Sequence, residues 1–493
     1  MAREDEITKE RLKKIDEFKK AGINPYPQKF DKKDCAGELQ KEYEKLKIEE
    51  FGKKASVAGR IMALRSFGKL IFMKLQDRTG SIQLVFMPKK NRESEKKIES
   101  VAKFIDVGDI VGAQGKVFRT KRGELSIMVE EVNMLSKSIK SLPEKWHGLQ
   151  DKEERYRKRY LDLIMSPEVK EVFLKRQKII DIVREFLKEK CFIEVETPLL
   201  QSMYGGASAR PFKTHLNELD MDLFLSISPE LYLKRLIVGG FERVFTICKN
   251  FRNEGIDRRH NPEFTMLEFY YAYADYEMLM EMTEELFNTL RKKLGFGNEV
   301  EYQGIKLDLK TPFKRIKFRD LLLKETGIDI DKENNFEKLK KAVVSKKLKD
   351  VDVNNCSHYG ALLDELYKRV VREKIIQPTF LTHYPVEMIA LAKRNEKNPR
   401  YINSFQLLIN GAEIVKAYDE LNDPLDQEER LKQQAALLKK GDEEAMPLDE
   451  DFINALKIGM PPTAGYGLGI DRLTMLFTDQ PSIRDVILFP FMK

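Results

Sequence analysis

The chain has 493 residues, of which 42% are hydrophobic and 34% charged, with a formal net charge of +8. This length exceeds one ordinary core, so two or three domains are expected, and the composition excludes a disordered chain. No apolar run reaches the roughly 18 residues of a membrane span, and MAREDEITKERLKK lacks the apolar core of a secretory signal, so a cytoplasmic protein without a membrane partner is expected.

Cys35, Cys191, Cys248 and Cys356 have no paired spacing, which predicts free thiols. Cys356 and His358 are close but have no second pair, so a zinc site is not expected. The modest positive charge permits a polyanionic partner without demanding one.

Residues 1–54 read as a helical extension. Leu12, Ile15 and Phe18 recur at helical spacing, and Gly22 and Pro25 stop the run. Its charges read as a solvated face. Residues 55–138 change period: SVAGRIMAL, KLIFMKLQD, SIQLVF, DIVGAQGKVFRT and GELSIMVEEVNML are strand-like, with a charged helical stretch at about Asn91 to Phe104. Five strands with a helix in that place fit an OB-type barrel, a fold that often binds single-stranded nucleic acid. Phe72 and Gln83 fall on neighbouring strands, and Glu124 opens the last one. An aromatic can stack on an unpaired base while an amide and a carboxylate read its edge. A core position for Phe72 fits the same pattern.

Residues 139–165, with the single tryptophan Trp146, read as a connector. An amphipathic helix follows from Glu168, and then FIEVETPLL, whose Pro198 marks a strand end or sheet edge where two copies could meet. Residues 295–373 read as a helical insertion, and Thr379 to Lys493 as strands and loops. The fold class expected is α+β: a barrel followed by an antiparallel sheet flanked by helices.

Two segments carry chemistry. Lys249 to Tyr270, KNFRNEGIDRRHNPEFTMLEFY, reads as two strands around a polar loop. It would present a guanidinium, an imidazole, an aromatic face and two carboxylates on one side. That set suits a nucleoside triphosphate beside a cationic small molecule, although a charged surface hairpin would read alike. Ala464 to Phe477, AGYGLGIDRLTMLF, alternates Gly465, Gly467 and Gly469 with apolar residues before Arg472. Glycine at every second position lets a strand lie close to a ligand or a helix. Arg472 then stands at a helix start, which favours anions. The spacing is not the dinucleotide-binding fingerprint.

With SPELYLKRL, AYDELNDP and the Pro198 segment, these motifs resemble those of the class II aminoacyl-tRNA synthetases, subclass IIb, and within them the lysyl-tRNA synthetases. The resemblance runs from the barrel to the C-terminus. It implies that lysine and ATP form lysyl-adenylate, and that lysine then passes to the terminal ribose of tRNA(Lys). Arg252 and Arg472 would be catalytic. Arg252, Glu254, His260, Phe264 and Arg472 would bind ATP, with Phe264 stacked on adenine and His260 on the outer phosphates. Gly206, Glu230, Arg252, Glu268, Tyr270 and Glu420 would bind lysine. Glu413 and Glu420 would ligate Mg²⁺. Arg65, Phe72, Gln83 and Glu124 would read the anticodon, and the enzyme would be a homodimer.

Against that family this chain departs at Gln406 (usually Glu), Lys416 (usually Asn), Asp419 (usually Ser or Thr), Cys191 (commonly Gly) and Met388-Ile389-Ala390. The first two add positive charge and leave the number of Mg²⁺ ions open. Lys416 would replace part of one accessory ion's role, or else point to solvent. Other readings are a synthetase for asparagine or aspartate, a lysine-transferring protein modifier, and a silent RNA-binding paralogue. The pair Glu268 and Glu420, the barrel, and the retained Arg252, His260 and Arg472 speak against these in turn.

Overall fold

The computed structural model describes residues 2–67, 70–87, 103–143 and 151–493, in two compact units, 1–149 and 150–493. In the first unit β1 (Phe51–Phe67), β2 (Leu70–Gln76), β3 (Ser81–Phe86), β4 (Ile110–Arg119) and β5 (Leu125–Ser136) close a barrel in the order β1-β2-β3-β5-β4. Strand alternation sends Met73, Leu75, Ile82 and Leu84 into its core. The helix expected at about Asn91 to Phe104 falls largely outside the described residues, as does Trp146; residues 103 and 104 are helical.

The N-terminal segment is more than a solvated face. In the helix Ala2–Lys20, Phe18 is fully buried and joins Ala36 and Leu39 in the barrel core. Burying such a ring contributes about 1.5–3 kcal/mol. Arg11 donates to the carbonyls of Val107 (2.9 Å) and Lys140 (2.8 Å), and Lys14 pairs with Asp106 at 2.7 Å. Only Leu12 of the expected stripe stays exposed.

The second unit is built on a sheet of β6 (Ile193–Glu194), β7 (Arg243–Phe251), β8 (Glu263–Ala272), β9 (Lys314–Lys317), β10 (Thr379–Thr382), β11 (Ser404–Ile409), β12 (Ala412–Asp419) and β13 (Thr463–Gly469). Their spatial order is β9-β10-β11-β12-β13-β8-β7-β6. The two edge pairs are parallel and the inner pairs antiparallel. One face carries Val415, Ala417, Tyr466, Leu468, Leu267 and Phe269. The helices Pro167–Glu189, Tyr276–Leu294 and Ile470–Thr478 cover it with Ile179, Val183, Leu279, Phe287, Leu290, Leu473 and Phe477. Residues of the opposite parity are thereby turned to the other face, where the cavity lies.

Several expectations are corrected. The second half of the connector is helical (Lys152–Arg157, Arg159–Met165) and belongs to the second unit: buried Arg159 donates to the carbonyls of Leu488 and Arg484. The insertion is not purely helical. It opens with a hairpin, Glu299–Tyr302 and Ile305–Asp308, and contributes β9 to the main sheet before its helices Phe318–Thr326, Phe336–Ser345 and Tyr359–Leu366. The C-terminal part adds three helices, Pro424–Lys439, Glu450–Ile458 and Ile470–Thr478, to its strands. Cys191 follows the helix Pro167–Glu189 with a φ of +63°, a left-handed conformation that a glycine adopts without strain.

Candidate active site

Directly opposed residues on neighbouring strands share a face. On the uncovered face one row reads Gln406, Lys416, Gly467, Glu268 and Thr246 across β11, β12, β13, β8 and β7. The adjacent row reads Ser404, Tyr418, Gly465, Tyr270 and Val244. The alternating glycines of β13 thus leave a trough between side chains on either side. A Cβ at Gly465 would overlap Oε1 of Glu420. Gly206, at φ +84°, closes one end, and a Cβ there would come within 2.8 Å of Glu230 Cβ.

Ten of the expected residues line this one cavity: Gly206, Glu230, Arg252, Glu254, His260, Phe264, Glu268, Tyr270, Glu413 and Arg472. Glu420 lies behind its wall, fully buried. The floor is a knot of buried acids. Lys234 donates to Glu230 Oε1 (2.6 Å), Tyr418 OH to Glu230 Oε2 (2.8 Å), and Ser228 Oγ to Glu268 Oε1 (2.9 Å). Lys234 also pairs with Glu420, which finds no other donor. Burial, then the Glu230 charge, pushes the Glu268 carboxyl up to about 8. Burial also raises Glu420, against the pull of Lys234. Lys234 itself stays charged, because Glu230 and Glu420 outweigh the effect of burial. The raised Glu268 carboxyl is thus one that a neighbouring cation would favour in its charged form.

The other end is cationic. Arg252 lies over the Phe264 ring, 5.1 Å from its centroid, and its backbone N–H donates to Pro262 O at 2.9 Å. That leaves the opposite ring face for a base. Arg472 NH2 donates to His260 Nε2 at 3.1 Å, and His260 Nδ1 meets Asp257 Oδ2 at 2.8 Å. Arginine only donates, so Nε2 accepts and the proton sits on Nδ1. His260 thus touches the Arg472 guanidinium and also lines the cavity. Burial pushes the Arg472 pKa down and Glu413 pulls it up, with Arg372, Arg252 and Arg259 adding repulsion. Crowded guanidiniums of this kind favour a polyanion.

The two carboxylates expected to ligate Mg²⁺ stand differently towards the cavity. Glu420 pairs with Lys234 just behind the cavity wall, and Glu413 lines the cavity itself. Among the described residues no three His, Cys, Asp or Glu side chains cluster to hold an ion. One carboxylate together with substrate phosphates still suits Mg²⁺, which keeps water and phosphate ligands. Sequence reasoning missed Lys234, Ser228 and Tyr418 on the floor, and Arg259 and Arg372 at the cationic end. Lys234 stands one helical turn from Glu230, a signal within reach. Arg372 arrives from the end of the insertion, which no spacing foretells.

On the barrel, Arg65 is opposite Phe72, Phe72 opposite Val85, and Gln83 opposite both Lys74 and Ser126. Phe72 is half-buried beside Phe67, with ring centroids 6.2 Å apart, on the face opposite the core residues Met73 and Leu75. Gln83 Nε2 donates to Ser126 Oγ (2.9 Å), and exposed Glu124 precedes that serine by two residues. Arg65, Phe72 and Gln83 thus share one face of the barrel, and Glu124 stands just before the strand that carries Ser126.

This combination of an antiparallel sheet, an Arg-bearing hairpin and a glycine strand leading into an arginine helix defines a class II tRNA synthetase. The family described as tRNA synthetases class II (D, K and N) matches residues 151–493, and that of the OB-fold nucleic acid binding domain matches 55–135. The chain is 48% identical to a lysine–tRNA ligase of Syntrophomonas wolfei (99% of this chain, 97% of that protein). It is 47% identical to one of Fusobacterium nucleatum (98% and 96%) and 46% identical to one of Thermotoga maritima (99% and 96%). The chain belongs to the lysine–tRNA ligase family. Members of this family use Mg²⁺, and no described helix is long and apolar enough to cross a membrane.

Proposed function

We propose that the chain is a lysine–tRNA ligase in which Glu230, Glu268 and Glu420 hold the two ammonium groups of lysine. Arg252 bridges the lysine carboxylate and the α-phosphate of ATP, Phe264 stacks on adenine, and Glu254 reads the amino edge. Arg472, braced by His260, holds the outer phosphates. The carboxylate attacks the α-phosphorus in line and pyrophosphate leaves, so positioning and neutralisation supply the catalysis. Mg²⁺ draws charge from the phosphates when bound, with Glu413 as its protein ligand.

The buried acid floor carries this reading. Among the described residues Lys234 is the one ammonium paired with Glu230 and Glu420, and Glu268 beside them has no ion-pair partner. A neutral or acidic amino acid would leave Glu268 unpaired, at a cost of several kcal/mol. Further parts of the reading are that Arg65, Phe72, Gln83 and Glu124 read the anticodon of tRNA(Lys), and that the enzyme works in the cytoplasm. It is also read as a homodimer through the exposed apolar edge around Ile193, Leu199 and Leu200. Pyrophosphate exchange across the standard amino acids tests specificity: exchange with lysine alone is expected, and exchange with asparagine or aspartate but not lysine would reject it.

A further inference from the structure

We propose that Lys416 and Gln406 form a metal-independent subsite for the ATP polyphosphate; this rests on the ATP site described above. The two residues face each other across β11 and β12, and both line the cavity. Lys416 is half-buried, and no described residue forms an ion pair or hydrogen bond with its ammonium. Its other neighbour in the row is Gly467, which has no side chain. Glu268 stands one strand further and forms no ion pair with it. The ammonium therefore borders open space instead of a partner, and an anion completes it.

Gln406 turns the same way. Its Oε1 accepts from Tyr384 OH at 2.7 Å and Tyr367 OH at 3.2 Å. Burial raises both phenol pKa values, so both remain donors. With Oε1 held by two hydroxyls, the amide offers the cavity only Nε2–H, which binds phosphate oxygen and not a metal ion. Arg372, on the same cavity wall, keeps a buried Nε without a partner. The wall beside Glu413 thus sets Lys416, Gln406 Nε2 and Arg372 as donors beside Asp364, which is already paired with Lys368, and among the described residues no three His, Cys, Asp or Glu side chains cluster to hold an ion. Fixed protein charge here does work that divalent cations do where carboxylates line such a site. Lysine suits the task as a compact charge on a flexible stem.

The test is calorimetric binding of ATP, and of inorganic tripolyphosphate, to the full chain in EDTA and in Mg²⁺. No amino acid is present, so the outcome is independent of amino-acid specificity, which pyrophosphate exchange reads separately. The expected result is measurable metal-free binding that Lys416→Met weakens about 10- to 100-fold and Lys416→Arg largely restores. Gln406→Glu should also weaken metal-free binding, and Mg²⁺ should reverse most of that loss. Unchanged metal-free affinity in Lys416→Met overturns the proposal. So does a Lys416→Met loss that appears only in Mg²⁺ and not in EDTA, which would tie the ammonium to the metal-bound form.

Discussion

At the end of the cavity floored by Glu230, Glu268 and Glu420, the protein groups are paired with one another before any substrate enters. At the end walled by Arg252, Arg372, Lys416 and Arg472, the Arg252 and Arg472 guanidiniums lean on backbone carbonyls and on His260 rather than on carboxylates, and Lys416 has no partner among the described residues. The first end is buried, and bare charge there is costly, so it holds a resident lysine and protons. The second is partly buried, so its crowded cations favour a polyanion. One end is built to select and the other to neutralise. Each should fail in its own way when disturbed.

The sharpest break comes from Lys234→Met. It strands Glu230 and Glu420 without their ammonium, and removing one partner of a buried pair costs about 3–5 kcal/mol. A thermal melt should show a large loss of stability that added lysine partly repairs, because a substrate ammonium can take the vacated place. A melt unchanged from wild type would mean that the floor is not held together by charge.

At the cationic end the fold should survive while chemistry suffers. Arg472→Ala is expected to lower the pyrophosphate-exchange rate about 10²- to 10³-fold with little change in melting. His260→Ala acts through the Arg472 guanidinium and should cost only about 10-fold. An equal loss in both would instead mean that His260 touches the nucleotide itself. Smaller still is the barrel. Phe72→Ala removes one stacking surface, worth about 1–3 kcal/mol. It should weaken tRNA binding, read by filter retention, while leaving pyrophosphate exchange untouched.

The two ends were unequally legible in the sequence. Arg252, His260 and Arg472 stand in motifs whose spacing announces them, and the β8–β13 pairing brings two of those motifs together as expected. The barrel was legible because a period-2 pattern with turn signals admits few folds. Phe18 was not: an isolated amphipathic stripe cannot say which core it enters, and only the barrel's open end supplies one. Glu420 was legible as an acid but not as the partner of Lys234, because the two meet across 186 residues of chain, from 234 to 420. Lys416 was visible as a departure, while its freedom from any protein partner depends on the side-chain-free Gly467 across the strand.

The remaining contrast is in pH. Below about pH 8 the empty pocket holds a proton on Glu268, because burial and then Glu230 raise its pKa from 4.5 to about 8. Across that window the folded chain binds more protons than the unfolded one, so stability falls as pH rises through it. Lysine needs the carboxylate form, so its binding expels the proton, and it should gain affinity about tenfold per pH unit up to about pH 8 before levelling. Calorimetry in buffers of different ionisation heat should detect the released proton, and Glu268→Gln should abolish both the release and the slope. ATP binding at the guanidinium end should show no such slope, since arginine does not titrate there. If lysine affinity proves flat with pH and no proton leaves, then Glu268 is already charged in the empty pocket, and the two ends handle their charge by the same rule.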